Sequence, residues 1–226
     1  MDISSLKRIG GHPALDFINT VSHWTGEGPQ RNYMPDYAGL LRWSRDAGVL
    51  DAHEFRELTR RAAENPPAAA RVHRGALSLR RALHDVFQAG IAGRAPDAAQ
   101  IEVLNSWHGR ALRRRRVLAD RQGRLIPGWS FGENALPLEL PLLKLVLGAV
   151  ELAGEAGPGR LKECPGQPAC GWLFYDASKN RSRRWCDMED CGNIAKARRH
   201  YARVRKRRMR GRGLASNRTT SSPDSP

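Results

Sequence analysis

Cysteine is scarce in this chain, and aromatic residues make up only 7% of its 226 positions, with four tyrosines and five phenylalanines. Apolar residues still reach 40%, enough for one large domain and a small one. Long apolar runs are missing too. The greasiest stretch, Ala135 to Ala153, is interrupted by Pro137, Glu139, Pro141, Lys144 and Glu151, which argues against a bilayer span and predicts a buried helix. The opening MDISSLKRIGGHPALDF has no apolar centre of the kind a secretory signal needs. Together these shortages predict a cytoplasmic location, a reducing environment and no membrane partner. Catalytic signatures are absent as well: no H-E-x-x-H, no Walker-type loop, no G-x-S-x-G and no dinucleotide fingerprint. The expectation is that the protein is not an enzyme.

Acid is short in one place above all. The formal charge is +15, and residues 164–226 hold 15 lysines and arginines against 5 acids. The first 163 residues hold 23 against 18. Basicity concentrated in this way points to a polyanionic partner, most simply a nucleic-acid backbone. An anionic membrane is the poorer match, because few large apolar residues accompany the charges.

All four cysteines fall inside that basic segment. Cys164, Cys170, Cys186 and Cys191 are spaced C-x5-C-x15-C-x4-C, two pairs separated by a longer loop. This is how a chain offers four thiolates to one Zn²⁺. A reducing compartment favours metal over disulfides; an iron–sulfur cluster and free thiols are the other options. Four sulfur ligands close the coordination sphere, so the zinc is expected to be single and structural. They also leave a formal charge of about −2 for nearby cations to moderate. The loop from Tyr175 to Trp185, with Lys179, Asn180, Arg181, Arg183 and Arg184, can supply them and face a phosphate partner as well. Trp172, Phe174, Tyr175 and Trp185 are the expected miniature core.

Beyond Cys191, helical spacing puts Ile194, Ala197, Tyr201 and Val204 on one stripe, expected to lie on the zinc core. Lys196, Arg199, Arg203 and Lys206 form another stripe, widened by Arg198 and Arg205.

Upstream, helical period dominates. Segments are expected from Pro35 to about Gly48, from an Asp51 N-cap with Glu54 as its capping-box partner, from Ala69 to Ala92 after a break at Pro66-Pro67, from Pro96-Asp97 onward, and from Pro137 to Glu155. Val117–Ala119 and Leu125-Ile126 flank the turn residues Asp120–Gly123 and predict one β-hairpin. Arg113 to Arg116 form a second cationic cluster beside it. The fold class is therefore mainly α with a small β-hairpin in the N-terminal domain (α+β), followed by the four-cysteine finger. Residues 1–158 form the first domain, with a linker at Gly154–Gly159; 159–210 form the finger and its basic helix; 211–226 are expected to be a disordered tail.

If His12 to Thr20 is helical, Asp16, Asn19 and Thr20 make one polar face in an otherwise buried element. Buried polar groups need partners. Those partners are either internal, such as caps of neighbouring turns, or an effector in a pocket including His12, Asp16, Asn19, Thr20 and Arg42, with Trp24 and Trp43 alongside.

The run Cys170-Gly171-Trp172-Leu173-Phe174-Tyr175-Asp176, then Ser178 through Cys186, Met188 and Cys191-Gly192-Asn193, closely resembles the CGNR-type zinc finger. In that family the finger follows an ABATE domain, and Gly11-His12-Pro13-Ala14-Leu15-Asp16-Phe17-Ile18-Asn19-Thr20 is similar to that domain's opening. The resemblance implies a bacterial transcriptional regulator: a mostly helical, sensor-like domain and a treble-clef-like finger that binds DNA, hence a nucleoid-associated location. The family arginine after Asn193 is replaced by Ile194, so no contact of that arginine carries over. RNA is the alternative polyanion. A protein-interaction or enzyme domain with a purely structural zinc staple is a second alternative, and a homodimer through the N-terminal domain a third.

Overall fold

The computed structural model describes residues 6–24, 30–131, 136–166 and 170–216, those beyond 205 by backbone alone. Helices account for most of it, and the first five begin where a polar side chain satisfies a free N–H group. His12 Nδ1 accepts from Ala14 N at 3.1 Å to start α1, Pro13–Ile18. Asp36 caps α2, Tyr37–Asp46. Asp51 and Glu54 close the expected capping box on α3, Ala52–Glu64. Asn65 ends α3 and caps α4, Pro66–Ile91. The predicted break at the two prolines thus shrinks to that one residue, because Pro66 sits at the first helical position, where no N–H is needed. Asp97 caps α5, Ala98–Arg114.

The hairpin follows directly. β1, Arg115–Ala119, pairs antiparallel with β2, Leu125–Trp129, with Leu118 opposite Ile126 and Gly123 at φ 75° in the turn. The next helix, α6, spans Leu140–Glu155 rather than starting at Pro137; residues 137–139 form its lead-in turn, with Leu140 N donating to Pro137 O. No described helix is long and apolar enough to cross a membrane.

α1 is short and buried along nearly its whole length. Ala14, Leu15, Phe17 and Ile18 pack against α4 and α6, where Leu79, Leu83, Leu142 and Val146 are equally enclosed. Each of these side chains larger than alanine contributes about 1.5–3 kcal/mol of burial. α5 lies across α4 and α6, and α2 and α3 close the other flank.

β3, Leu161–Glu163, and β4, Leu173–Tyr175, form a second antiparallel pair. A wide helical turn, Met188–Gly192, then leads into α7, Asn193–Ser216. The helical backbone runs past the expected boundary at 211, and the rest of the expected tail, 217–226, lies outside the described residues. Leu173 belongs to the same apolar cluster as α1 and α6, with Leu161, Trp172 and Tyr175 packed against it. The stretch expected as a linker therefore joins two parts that share a core.

Candidate metal centre and nucleic-acid surface

The finger is built around sulfur. Cys164 leaves the end of β3 and Cys170 precedes β4; between them Cys164 N donates to Trp172 O, and Cys170 N to Gly166 O. Cys186 follows the basic loop, and Cys191 lies in the wide turn before α7. The four Sγ atoms all lie within 4.8 Å of one another, with Cys186 Sγ at 3.7 Å from both Cys170 Sγ and Cys191 Sγ. A tetrahedral ZnS₄ unit with bonds of about 2.3 Å has edges of about 3.8 Å. Backbone closes in tightly on this set: a Cβ on Gly166 would sit 2.6 Å from Cys191 Sγ. Contact with the Cys164 sulfur is the chief cause that pushes the Cys170 and Cys186 thiols far above their ordinary range, while contact with the other three sulfurs, Cys170 first, pushes Cys164 below it. A divalent cation reverses that penalty, so the donor set, its spacing and its burial all fit zinc.

Phe174 is fully buried beside Cys164 and Cys186, and Trp172 and Trp185 cover this small core as expected. Arg183 bolts it together. Its ring-stacking distance to Phe174 is 4.5 Å; Nε donates to Trp185 O at 3.1 Å, Nη1 to Tyr175 O at 3.3 Å, and Nη2 to Ile9 O at 2.7 Å and to Cys186 O. Arg183 therefore drops out of the expected nucleic-acid set, because every nitrogen of its guanidinium is spent on backbone carbonyls. Asp176, which the sequence did not single out, shapes the same loop. Its buried carboxylate accepts from Ser178 N and Oγ at 3.0 and 2.6 Å, from Arg183 N at 2.9 Å and from Lys162 Nζ at 2.7 Å. Burial raises its pKa, but these four donors outweigh it and hold the carboxyl well below the usual range. Lys162 also donates to Arg181 O and Arg183 O.

The remaining candidates stay outward. Lys179, Asn180, Arg181 and Arg184 are exposed, with Arg181 Nη1 donating to Pro158 O at 2.7 Å and Arg184 over the Trp185 ring at 5.9 Å. Lys196, Arg198, Arg199 and Arg203 are exposed on α7. The side chain of Lys206 lies outside the described residues. The apolar stripe does not behave as expected. Ile194 is 44% exposed and Tyr201 70% exposed. The zinc core is already covered by Ile9 and the tryptophans, so α7 packs mainly on the turn it grows from and runs outward.

The polar face of α1 also resolves differently. Asn19 Nδ2 donates to Leu173 O at 2.9 Å, and Leu173 N donates back to Asn19 Oδ1 at 3.0 Å. One amide thus completes the backbone of β4 as a strand would. Asp16 Oδ1 accepts from Gly10 N at 2.8 Å, although burial pushes its carboxyl up. Thr20 Oγ1 donates to Phe17 O and accepts from buried Arg80 Nη1 at 2.8 Å, which also reaches Asn32 Oδ1 at 2.9 Å. Burial pulls the Arg80 pKa down to about 10. Trp24 stacks on His84 at 3.9 Å, one turn beyond Arg80. His12 is used as the α1 cap, and Arg42 lies on α2, facing a groove that none of the other four lines. The five residues expected in one effector pocket do not form one; four of them are committed to internal bonds.

The Asn19–Leu173 pair is one of several bonds that lace the finger to the body. Tyr175 N donates to Gly10 O at 2.7 Å, Trp172 Nε1 to Val21 O at 2.8 Å, and Lys7 Nζ pairs with Asp187 at 2.7 Å and Asp190 at 3.0 Å. Gly11, beside Tyr175, holds a left-handed φ of 79°, a conformation that favours glycine.

A model of the ABATE domain, described as "Putative stress-induced transcription regulator", matches residues 11–156, and a model of the CGNR zinc finger matches residues 160–204. The chain belongs to the ABATE family. No curated protein matches it. Within this ABATE protein the CGNR match contains all four cysteines, which make one zinc site. The fold is mainly helical with one hairpin in the ABATE region, and the finger is treble-clef-like: a knuckle, a strand pair and a helix that begins at the last ligand pair.

Proposed function

We propose that this protein is a DNA-binding transcriptional regulator whose zinc finger presents α7 and the loop Lys179–Arg184 to the duplex. One observation carries the reading: α7, Asn193–Ser216, holds ten lysines and arginines and no acid, and it grows from a metal knuckle with Lys196, Arg198, Arg199, Arg203 and Arg205 exposed. Arginine dominates that face, and arginine grips phosphate and guanine in a bidentate fashion where lysine supplies charge alone. The family description supports the same reading. Lys179, Asn180, Arg181 and Arg184 extend the surface beside the zinc, while Arg183 holds the loop in shape from behind. The helical body would read an effector and pass its state to the finger through the Asn19–Leu173 joint.

Phosphate contact is the main source of affinity in this reading, so binding should fall steeply with salt, by about 0.9 log units per log unit of salt for each neutralised phosphate. Fluorescence anisotropy on a labelled random duplex, from low to physiological salt, measures it. Charge reversal at Arg199 and Arg203 should abolish binding without changing thermal stability. Salt-insensitive binding, or tighter capture of structured RNA in competition, removes the DNA assignment.

A further inference from the structure

A groove of about 660 Å³ opens between α2, α3 and α4. That volume lies in the range of small-molecule sites, about 300–1,000 Å³. Its floor is apolar, formed by buried Leu41 and Ala69 with Phe55 beside them. The space exists because the facing positions carry methyl-sized side chains: Ala62 and Ala63 on α3, Ala70 on α4. Where the same helices meet elsewhere, full-sized Leu40, Leu58 and Leu79 fill the interior.

The polar groups around the groove sort cleanly. Asp36 is its lining acid, and its carboxylate is engaged as the α2 cap, Oδ1 accepting from Gly39 N at 2.6 Å. His73 is turned to Met34 O at 3.0 Å and Tyr37 donates to Leu138 O at 2.8 Å. Two guanidiniums are left, Arg42 from α2 and Arg74 from α4, both exposed. Among the described residues neither makes an ion pair or hydrogen bond through its side chain. On the same helices, Arg45 is paired with Asp46 and Arg81 with Asp85. An apolar slot rimmed by two uncommitted cations, with its acid already engaged, is complementary to a molecule that is apolar along its length and anionic at one end.

We propose that this groove binds a small apolar carboxylate, its hydrocarbon against Phe55, Leu41 and the alanines and its head group between Arg42 and Arg74. The inference rests on the regulator reading above and supplies its effector class. A neutral ligand of the same length gains the floor and loses the guanidiniums; a cationic one is repelled.

Isothermal titration of the full chain, without DNA, with octanoate, octanol and octylammonium tests it. Octanoate should bind saturably, one molecule per chain, with octanol weaker by about tenfold and octylammonium not binding, since a hydrogen-bonded charge contact is worth roughly that factor. The double variant Arg42→Gln/Arg74→Gln should bring octanoate to the affinity of octanol. Ala63→Phe should fill the groove and abolish binding. Should that variant misfold by circular dichroism, Ala70→Leu makes the same test more gently. Equal affinities for octanoate and octanol, undiminished binding in the variants, or no saturable heat would each overturn the proposal. So would a dimer in sedimentation that the groove-filling variant dissociates, since the occupant would then be a second copy. Octanoate binding by a protein that ignores every duplex would leave the groove standing and remove the regulator; the converse result would remove the groove alone.

Discussion

In the helical body one apolar cluster runs from Ala14 through Leu58 and Leu83 to Ala149, whereas the finger buries Phe174 with Cys164 and Cys186 at its centre and little else. The body is ordered by area removed from water. The finger is ordered by sulfur and by directed polar bonds: Asp176 with four donors, Arg183 with four carbonyls. Such bonds are worth little each unless a partner is removed, after which the deserted group carries its full desolvation cost. The two regions should therefore fail differently. The body should lose stability in proportion to the volume removed, and the finger should fail all at once.

The sharpest way to separate them is to take the metal. Chelation, or Cys186→Ser, should unfold residues 160–204 as a unit, because metal binding supplies the folding free energy of so small a core. The helical body should remain folded but melt roughly 10 °C lower, since it loses the cover of Leu173 and Trp172. Limited proteolysis read by mass spectrometry distinguishes this from global loss: cuts confined to the finger support the contrast, and cuts throughout α4 and α6 refute it.

Much of the body can be read directly from residues. Asp51 with Glu54 and Asp97 after Pro96 mark helix starts by local chemistry, and Asp120–Gly123 marks the hairpin turn, whereas the start of α4 at Pro66 was expected only at Ala69. The metal site is legible for the same reason, since four cysteines in 28 residues admit few other uses. The joint is not. Asn19 and Leu173 are 154 positions apart, and nothing local to either announces a pairing. Periodicity puts Ile194, Ala197, Tyr201 and Val204 on one stripe, yet it cannot say what a stripe faces, and this one is largely exposed; Ile9 and the tryptophans take the place it was expected to fill. The groove was invisible because alanines on a helix read as propensity, and only the packing of three helices turns them into a space.

The joint is the next place to press. Asn19→Ala leaves the N–H and C=O of Leu173 buried without partners, and two such groups cost about 3 kcal/mol together. Asn19→Leu, with similar bulk, should be no better, because shape is not what is missing. In the zinc-loaded protein, differential scanning calorimetry should show one transition for the wild type and two for the Asn19→Ala variant. A single transition at an unchanged temperature would mean the finger stands without this clasp.

Adjacent arginines offer a finer cut within the finger. Arg183→Met should cost about 2 kcal/mol, as its carbonyl partners lose a charged donor, and should weaken duplex binding only as far as it loosens the loop. Arg184→Met touches no backbone carbonyl; it should leave the melting temperature alone and reduce duplex affinity by severalfold, together with the salt slope. The two side chains have the same chemistry and stand next to each other, so any difference between them isolates position from composition. Equal effects on both readouts would dissolve the distinction between bolt and surface.

The smallest effect expected belongs to Lys7. Its ammonium meets Asp187 at 2.7 Å and Asp190 at 3.0 Å, beside Cys186 and Cys191, and on distance alone it resembles a second clasp. Asp187, followed by Asp190, raises the Lys7 pKa well above its ordinary value, so the pair stays charged throughout the neutral range. Yet Lys7 and Asp190 stand in solvent and only the Asp187 carboxylate is largely enclosed, so water and salt screen much of the attraction and ordering a long side chain offsets most of the rest. Lys7→Met should therefore leave the melting temperature within error at physiological salt, in contrast to Asn19→Ala at the same joint. A clear drop that fades on raising salt would show that surface charge, and not the buried amide, carries the union of finger and body.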